Sequence, residues 1–519
     1  MIKYYLIFAI YLTWSSIQGF AGQNFYIAPN GSNTNVGSIN SPWRSLNFAL
    51  HRVRAGDTVI LRGGFYNLGE VIIDGRKGMG GRPGMYLTIK AFPGEEPILR
   101  GSRRFMVHAN FVRVEGLHFI MPWRLEAFGR GIQIINNKFT GPQPKFGAIE
   151  TGGANILIEG NFIQFHNKGG NTRDHGIYVH KGEHIIIKNN TIIGTKGYGI
   201  HIFDEHKSAN PNSWSAHPFM IKDYLIEGNF VANSQERSGM IIGKGRGGNF
   251  ITLENITVRN NVFVKNNEFG LLIREGKNIK VYNNTFYLNK IASILIRYPS
   301  KGLDPASHVT IKNNIFVSNG RGHVGNTSSG QEIILENNLY DEKPRLKDIV
   351  DSHPIVGDPL FVDVENSNFH LKASSPAIDA GVYVGIKFKG KAPDLGAFEY
   401  DPINKKKEPL AFSNNSFPDS SSLAADIKSF RAFLVNQSVI LNWKISSNQD
   451  FLGFEVQRGG DVNNLSTIAI VKKNINHSTS KSYHYLDEKV APGIYFYRLK
   501  KLTPNGTYSF SSTIKVEVH

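Results

Sequence analysis

The stretch GIYVHKGEHIIIKNN, residues 176–190, decides the fold. It contains a short strand, a tight turn and a second strand, and its first strand returns four times further along the chain. The returning copies are GIHIF at 199–203, GMIIG at 239–243, GLLIR at 270–274 and SILIR at 293–297. An upstream copy, GAIETGGANILIEGN, occupies 147–161. Short strands that recur at this spacing without helical periodicity predict a solenoid, because one such unit cannot bury its own apolar face.

The second strand of each copy ends in an Asn-Asn or Gly-Asn pair, as in YLIEGN (224–229), ITVRNN (256–261), IKVYNN (279–284) and VTIKNN (309–314). Asparagine tolerates the left-handed backbone of a tight turn, and its side-chain amide can bond to an identical residue stacked above or below. The repeats therefore predict an all-β chain folded as a right-handed parallel β-helix, with the asparagines aligned from coil to coil.

Composition limits the function. The chain has 519 residues, no cysteine and a formal net charge of +17. The absence of cysteine excludes thiol catalysis, cysteine zinc sites and iron–sulfur clusters. A basic elongated protein attracts polyanions. No nucleic-acid module is recognisable, so we expect an acidic polysaccharide as the partner and no nucleic acid.

The N-terminus has the pattern of a secretory signal peptide. Residues 1–22 combine an early lysine, a short apolar run and small residues near Ala21. We therefore predict a secreted or cell-surface protein. No later stretch is apolar enough to span a membrane, and a monomer is expected.

The chain divides into four predicted parts. After the signal, residues 23–400 form the β-helix, and a helix at about 43–53 caps its open end. Residues 357–400 close the β-helix, with Asp358, Asp379 and Asp394 as turn formers. Residues 401–425 are a Pro/Ser/Asn/Lys-rich linker, and the alternating strands of 426–519 predict a small β-sandwich with Trp443 in its core.

Three segments near the N-terminus carry a family resemblance: YIAPNGS (26–32), SPWRSLNFAL (41–50) and RAGDTVILRGGFY (54–66). They resemble the opening of secreted bacterial β-helix proteins of the polysaccharide-lyase type, a group that includes pectate lyases, alginate lyases and chondroitinase B. The resemblance covers about 24–400 and implies the fold more strongly than the reaction, because hydrolases, epimerases and adhesins share this fold. In the C-terminal part, LNWKISSNQDFLGFEVQRG (441–459) and YFYRLKKLTPNGTYSFS (495–511) resemble fibronectin type III-like modules.

Stacking of the copies predicts where chemistry can occur. Alternate strand residues point outward. The predicted third-position column is Ile149, Tyr178, His201, Ile241, Leu272 and Leu295, and the fifth-position column is Thr151, His180, Phe203, Gly243, Arg274 and Arg297. Tyr178 and His201 become neighbours on adjacent coils, with His175 and His180 beside them, so polar groups collect on one face.

This constellation suits β-elimination from a uronate, which needs a neutralised carboxylate, a base for the C5 proton and an acid for the leaving oxygen. The candidate catalytic residues are His175, Tyr178, His201, Arg237 and Lys244. The candidate substrate-binding residues are His180, Tyr198, Trp214, Arg274 and Arg297, since arginine can hold carboxylates bidentately.

Several alternatives stay open. Several β-helix lyases use Lys or Arg as the base and calcium held by acidic residues; the candidate ligands here are Asp174, Asp204 and Glu205, few for an ion that takes about six to eight oxygens. The three histidines could instead bind zinc. A hydrolase would need two carboxylates, such as Asp174 with Asp204 or Glu205. A C5-epimerase or a carbohydrate-binding surface protein on this fold is also compatible with the sequence.

Overall fold

The structure is a computed structural model that describes residues 22–101, 104–120, 124–141, 146–165, 172–204, 220–244, 252–299, 303–328, 330, 332–401, 427–435, 438–445, 453–461, 464–472, 482–488, 490–502, 508–511 and 513–518. Contacts divide the chain into two compact units, Met1–Ser413 and Asn414–His519. The predicted signal peptide lies almost entirely outside the described residues, as does nearly all of the predicted linker. None of the described helices is long and apolar enough to cross a membrane.

The first unit is a right-handed parallel β-helix whose coils each contribute strands to three faces, here called the front, side and back faces. The two long strands Gly147–Glu159 and His175–Lys188 run across both the front and the side face. The other front strands are Val71–Asp74, Phe105–His108, Leu125–Arg130, Ile200–Asp204, Met240–Lys244, Phe269–Ile273, Ala292–Ile296, Gly322–Asn326 and Leu346–Lys347. The other side strands are Asn24–Ile27, Thr58–Leu61, Leu87–Ala91, Val112–Glu115, Gln133–Ile135, Met220–Glu227, Thr252–Arg259, Lys277–Tyr282, Ser307–Lys312 and Ile333–Glu336. The back strands are Gly64–Asn67, Pro97–Arg100, His118–Ile120, Lys138–Gly141, Phe162–Phe165, Thr191–Ile193, Phe230–Ala232, Val262–Val264, Thr285–Tyr287, Ile315–Val317, Leu339–Tyr340 and Ile355–Val356.

The predicted asparagine ladder is present at the turn between the side and back faces. In each coil the second residue of the pair donates its Nδ2 to the Oδ1 of the equivalent asparagine in the next coil, at 2.9–3.1 Å. The members of this ladder are Asn137, Asn161, Asn190, Asn229, Asn261, Asn284, Asn314 and Asn338. The first asparagine of the pair takes the left-handed backbone, as at Asn189 (φ 55°) and Asn260 (φ 56°). Buried amides are thereby satisfied along the stack, which holds the coils in register.

Side chains that alternate along the strands fill the interior of the coils. The second and fourth positions of the repeated front strands, such as Ile177, Val179, Ile200 and Ile202, are fully buried in one continuous core. The N-terminal end is covered by the predicted helix, which is shorter than expected because it spans only Leu46–Leu50. The Oγ of Ser45 caps it by accepting the N–H of Phe48. A short 3₁₀ turn, Gly75–Lys77, follows the first front strand.

The closing segment runs back along several coils. After the antiparallel pair Phe361–Asp363 and Asn368–Leu371, Asn313 and Asn283 donate to the carbonyls of Val382 and Asp394, both at 2.7 Å. Of the predicted turn formers, Asp358 accepts the N–H of Leu360, two residues on, at 2.8 Å. The carboxylates of Asp379 and Asp394 instead accept N–H groups of the more distant Lys391 and Asp379, so they join separate parts of the closing segment.

The second unit is a small β-sandwich. One sheet contains Ile427–Val435, Ser438–Ile445 and Ser482–Asp487; the other contains Gly453–Asp461, Asn464–Lys472, Gly493–Leu502, Tyr508–Phe510 and Ile514–Val518. Trp443 is 1% exposed and packs against Phe454 and Tyr483. The prediction that it is a core residue is confirmed.

Candidate active site

The front face carries a cluster of rings between adjacent coils. Tyr178 pairs with His201 in the parallel sheet, and their ring centroids lie 4.5 Å apart. His175 lies 4.0 Å from His201, and His180 lies 3.9 Å from Tyr178, again between ring centroids. These four residues lie together on the front face, as the stacking of the copies predicts. Their side chains leave the coil interior as expected, yet each is at least nine-tenths buried by its neighbours, which was not expected.

The register upstream of this cluster differs from the prediction. Glu150, and not Ile149, is the partner of Tyr178, whereas Ile149 pairs with Ile177 and is buried in the core. The cause is a β-bulge. Thr151 pairs with Val179 and Gly153 pairs with Gly182. Two residues of the second strand, His180 and Lys181, therefore oppose the single residue Gly152 of the first. Bulges re-aim side chains beside functional sites. Here the bulge brings a carboxylate into the cluster.

Glu150 is held on both sides. Its Oε1 lies 2.7 Å from Nε2 of His180, and its Oε2 lies 2.9 Å from a guanidinium nitrogen of Arg124. Neither Glu150 nor Arg124 is among the residues predicted from the sequence. Aligning the front strands by their buried positions, with one residue inserted at the bulge, would have identified Glu150.

Two adjacent cavities form one groove across this face, and Arg173, His175 and His201 line both. The first, of about 360 Å³, is called the arginine half; its other lining residues are Thr172, Tyr198, Phe203, Arg237, Ile241, Leu272, Arg274 and Arg297. The second, of about 340 Å³, is called the glutamate half; its other lining residues are Arg124, Phe146, Glu150, Tyr178 and His180. The groove thus unites eight of the predicted residues with residues that the sequence pattern does not single out.

The floor of the arginine half is apolar. Phe203, Ile241 and Leu272 form a small cluster outside the main core, each no more than 5% exposed. Above this floor, Arg237 contacts the carboxylate of Glu268 at 3.3 Å, and the Nε of Arg274 lies 3.9 Å from Glu275. Low-polarity walls strengthen the interaction between guanidinium groups and a bound anion.

Burial keeps both histidines at the centre of the groove neutral. It lowers the pKa of His175 to about 3, and it lowers the pKa of His201 well below the ordinary value of 6.5. Nδ1 of His175 accepts the backbone N–H of Tyr198 at 3.1 Å, so the neutral ring carries its proton on Nε2 and acts as a donor. Nδ1 of His201 is buried, and the described residues offer it no hydrogen-bond partner. Among the described residues no hydrogen bond fixes the tautomer of His201, so this ring, unlike that of His175, can carry its unprotonated nitrogen at Nε2.

The remaining predicted site residues do not line the groove or lie outside the described residues. Lys244 ends a front strand, its backbone N–H bonded to Glu275 at 3.0 Å, and it does not line either half of the groove. Asp174 is buried, and its carboxylate accepts the N–H of Phe146 at 3.1 Å. Trp214, Glu205 and the side chain of Asp204 lie outside the described residues. The calcium and hydrolase predictions, which need Asp204 or Glu205, stay predictions.

Away from the groove, among the described residues, His323, Asp341 and Glu342 lie close enough together to have the composition of a metal site. The geometry argues against metal binding there. Nδ1 of His323 accepts the backbone N–H of Arg345 at 3.0 Å, so the neutral ring carries its proton on Nε2, which lies 3.3 Å from Asp341. Both ring nitrogens are committed, and a metal ion would have to displace that proton.

A family model agrees with this architecture, and relatives and solved structures are similar to the chain. A family model described as a right handed beta helix region matches residues 125–217 and 175–346. Pectate lyase L of Dickeya chrysanthemi is 25% identical over 425 residues, which cover 72% of this chain and 90% of the relative. Pectate lyase PEL9 of Emericella nidulans is 32% identical over 79 residues, 15% of this chain and 18% of the relative. Among solved structures, pectate lyase Pel9A matches 73% of this chain and 97% of its own with a TM-score of 0.46 and 15% identity.

Proposed function

We propose that this protein is a polysaccharide lyase that cleaves a uronate-containing polymer by β-elimination. The observation that carries the proposal is a single pocket that is lined by four arginines and by two buried, neutral histidines, His175 and His201. A base that is not protonated and a cationic site for a carboxylate are the two requirements of this reaction. The similarity to pectate lyases over most of the chain supports the same reaction class.

The arginine half binds the uronate that reacts. Its guanidinium groups neutralise the C6 carboxylate, and this makes the proton on C5 more acidic. Arg297 is exposed at the edge of this half, and Arg237 and Arg274 already contact carboxylates of the protein. Arg297 therefore has the most freedom to bind a substrate carboxylate.

His201 removes the C5 proton. His175 cannot fill that role while its Nδ1 accepts the N–H of Tyr198, and we assign it as a donor that orients the uronate. The electron pair of the C5–H bond forms the C4–C5 double bond, and the C4–O4 bond breaks with its pair going to oxygen. That oxygen takes a proton from Tyr178, which touches His201 and lines the glutamate half.

The experiment is a panel of purified uronate polymers incubated with the protein and with a His201→Gln variant. We expect an unsaturated product, followed by its near-ultraviolet absorbance, and a loss of at least about a hundredfold in kcat for the variant, since a positioned base contributes about that much or more. His184→Asn, a substitution at an exposed histidine in the same strand as His175, is the matched control and retains full activity. New reducing ends without an unsaturated product would overturn the proposal.

A further inference from the structure

An ion-pair ladder runs up the front face and ends in the groove. Glu70 contacts Arg104 at 3.4 Å, and Arg104 contacts Glu126 at 3.3 Å. Glu126 also contacts Arg124, which in turn contacts Glu150 at 2.9 Å. Three carboxylates share two guanidinium groups along the ladder, and its last member, Glu150, is the one that lines the glutamate half.

The arginine half has no carboxylate among its described lining residues. Leaving aside Arg173, which lines both halves, three guanidinium groups face this half, and the carboxylates of Glu268 and Glu275 contact two of them. The formal charge of these described groups is +1. The described part of the chain gives Arg297 no carboxylate partner. Among the described lining residues of the groove, therefore, the one carboxylate, Glu150, lies in the glutamate half, and Arg297, which has no described carboxylate partner, lies in the arginine half.

The glutamate half also has an apolar surface. Phe146 is 44% exposed at its edge, and the guanidinium of Arg124 lies 5.2 Å from the centre of its ring. The carboxylate of Asp174 accepts the backbone N–H of Phe146 and so fixes the backbone at that residue. An exposed ring suits the apolar face of a sugar, and a fixed carboxylate suits sugar hydroxyls as an acceptor. A second carboxylate in this half would meet Glu150 as a like charge.

We propose that the groove selects a polymer in which a uronate alternates with an uncharged sugar. The uronate binds in the arginine half, and the uncharged sugar, which provides the leaving side of the broken bond, binds in the glutamate half. The direction in which the polymer lies in the groove rests on the proposed function. The selection by charge is a property of binding and can be measured without turnover.

The test compares the binding of two tetrasaccharides by calorimetry: one with a carboxylate on every sugar, and one in which uronates alternate with uncharged sugars. We expect the wild-type protein to bind the alternating probe about tenfold more tightly, which corresponds to about 1.4 kcal/mol. Glu150→Gln keeps an acceptor for His180 but removes the charge, so it should bring the two affinities to within about twofold. Glu70→Gln removes the same charge at the far end of the ladder and should leave the preference unchanged.

Each result decides the inference. Equal or tighter wild-type binding of the fully charged probe would overturn it, as would an unchanged preference in Glu150→Gln. Circular dichroism of the variants identifies a loss of binding that is due to unfolding, and in that case Glu150→Asp, which keeps the charge, must retain the preference. If no polymer yields an unsaturated product but the binding preference is found, then the proposed reaction fails and the charge selection stands.

Discussion

The two neutral histidines at the centre of the groove should make the protein sensitive to mild acid. The pKa of His175 is about 3 in the folded protein and about 6.5 in the unfolded chain, so only the unfolded chain takes up a proton between these values. The stability of the folded state is therefore complete above pH 6.5 and falls as the pH drops toward 3. His201 acts in the same direction, because burial lowers its pKa as well.

The size of the effect follows from proton linkage. At about pH 5, some 1.5 units below the unfolded value, a histidine that stays neutral when folded lowers the free energy of unfolding by about 2 kcal/mol. The assay is chemical denaturation of the β-helix at about pH 7.5 and about pH 5, with the wild-type protein and a His175→Asn, His201→Gln double variant. Asparagine keeps an acceptor for the N–H of Tyr198.

Between the two pH values, the free energy of unfolding should fall by at least about 2 kcal/mol more for the wild-type protein than for the double variant. His184→Asn, which replaces an exposed histidine of the same strand, should show the wild-type dependence. If the double variant and the wild-type protein lose the same stability on acidification, then these histidines are not held neutral by burial, and their assignment as base and donor loses its physical basis.

Three further outcomes are expected. Asn229→Ala should lower the free energy of unfolding by about 3 kcal/mol, because it leaves buried donors of the neighbouring coil unpaired, whereas Asn366→Ala on the surface should change denaturation midpoints little. The acidic limb of the kcat/KM profile should lie below pH 6.5, since burial lowers the pKa of His201; a limb at or above 6.5 would assign the base elsewhere. Cleavage should survive a calcium chelator, and its loss with recovery on added calcium would favour a metal site that includes Asp174 over the histidine and tyrosine pair.

The fold could be predicted from the sequence because its determinants are local and repeated. Each coil from Asn137 to Asn338 carries the same apolar alternation and an asparagine at the same turn, so the core and the turn repeat from copy to copy. The capping helix was placed correctly but is shorter than the pattern indicates, since only residues Leu46–Leu50 keep helical hydrogen bonds behind the Ser45 cap.

The site could be predicted only in part, because only some of its residues belong to the local, repeated pattern. Tyr178 and His201 occupy the same position of two front strands that pair without a bulge, so their contact could be predicted, whereas Glu150 lies before a β-bulge that an ungapped comparison does not detect. The ion-pair ladder from Glu70 to Glu150 was not predicted because most of its members precede the repeated copies that begin at residue 147; Glu126 pairs directly with Glu150, and Arg104 and Arg124 each precede one of two paired front strands. They meet only because stacking brings distant segments of the chain within about 5 Å of each other.

The most direct test of the account is the mass of the products formed in heavy-oxygen water. Elimination breaks the C4–O4 bond without adding water, so we predict an unsaturated uronate at the new non-reducing end and no heavy oxygen in either fragment before slow anomeric exchange. Heavy oxygen incorporated at cleavage, with no double bond, would show hydrolysis and contradict the assignment of His201 as the base that removes the C5 proton.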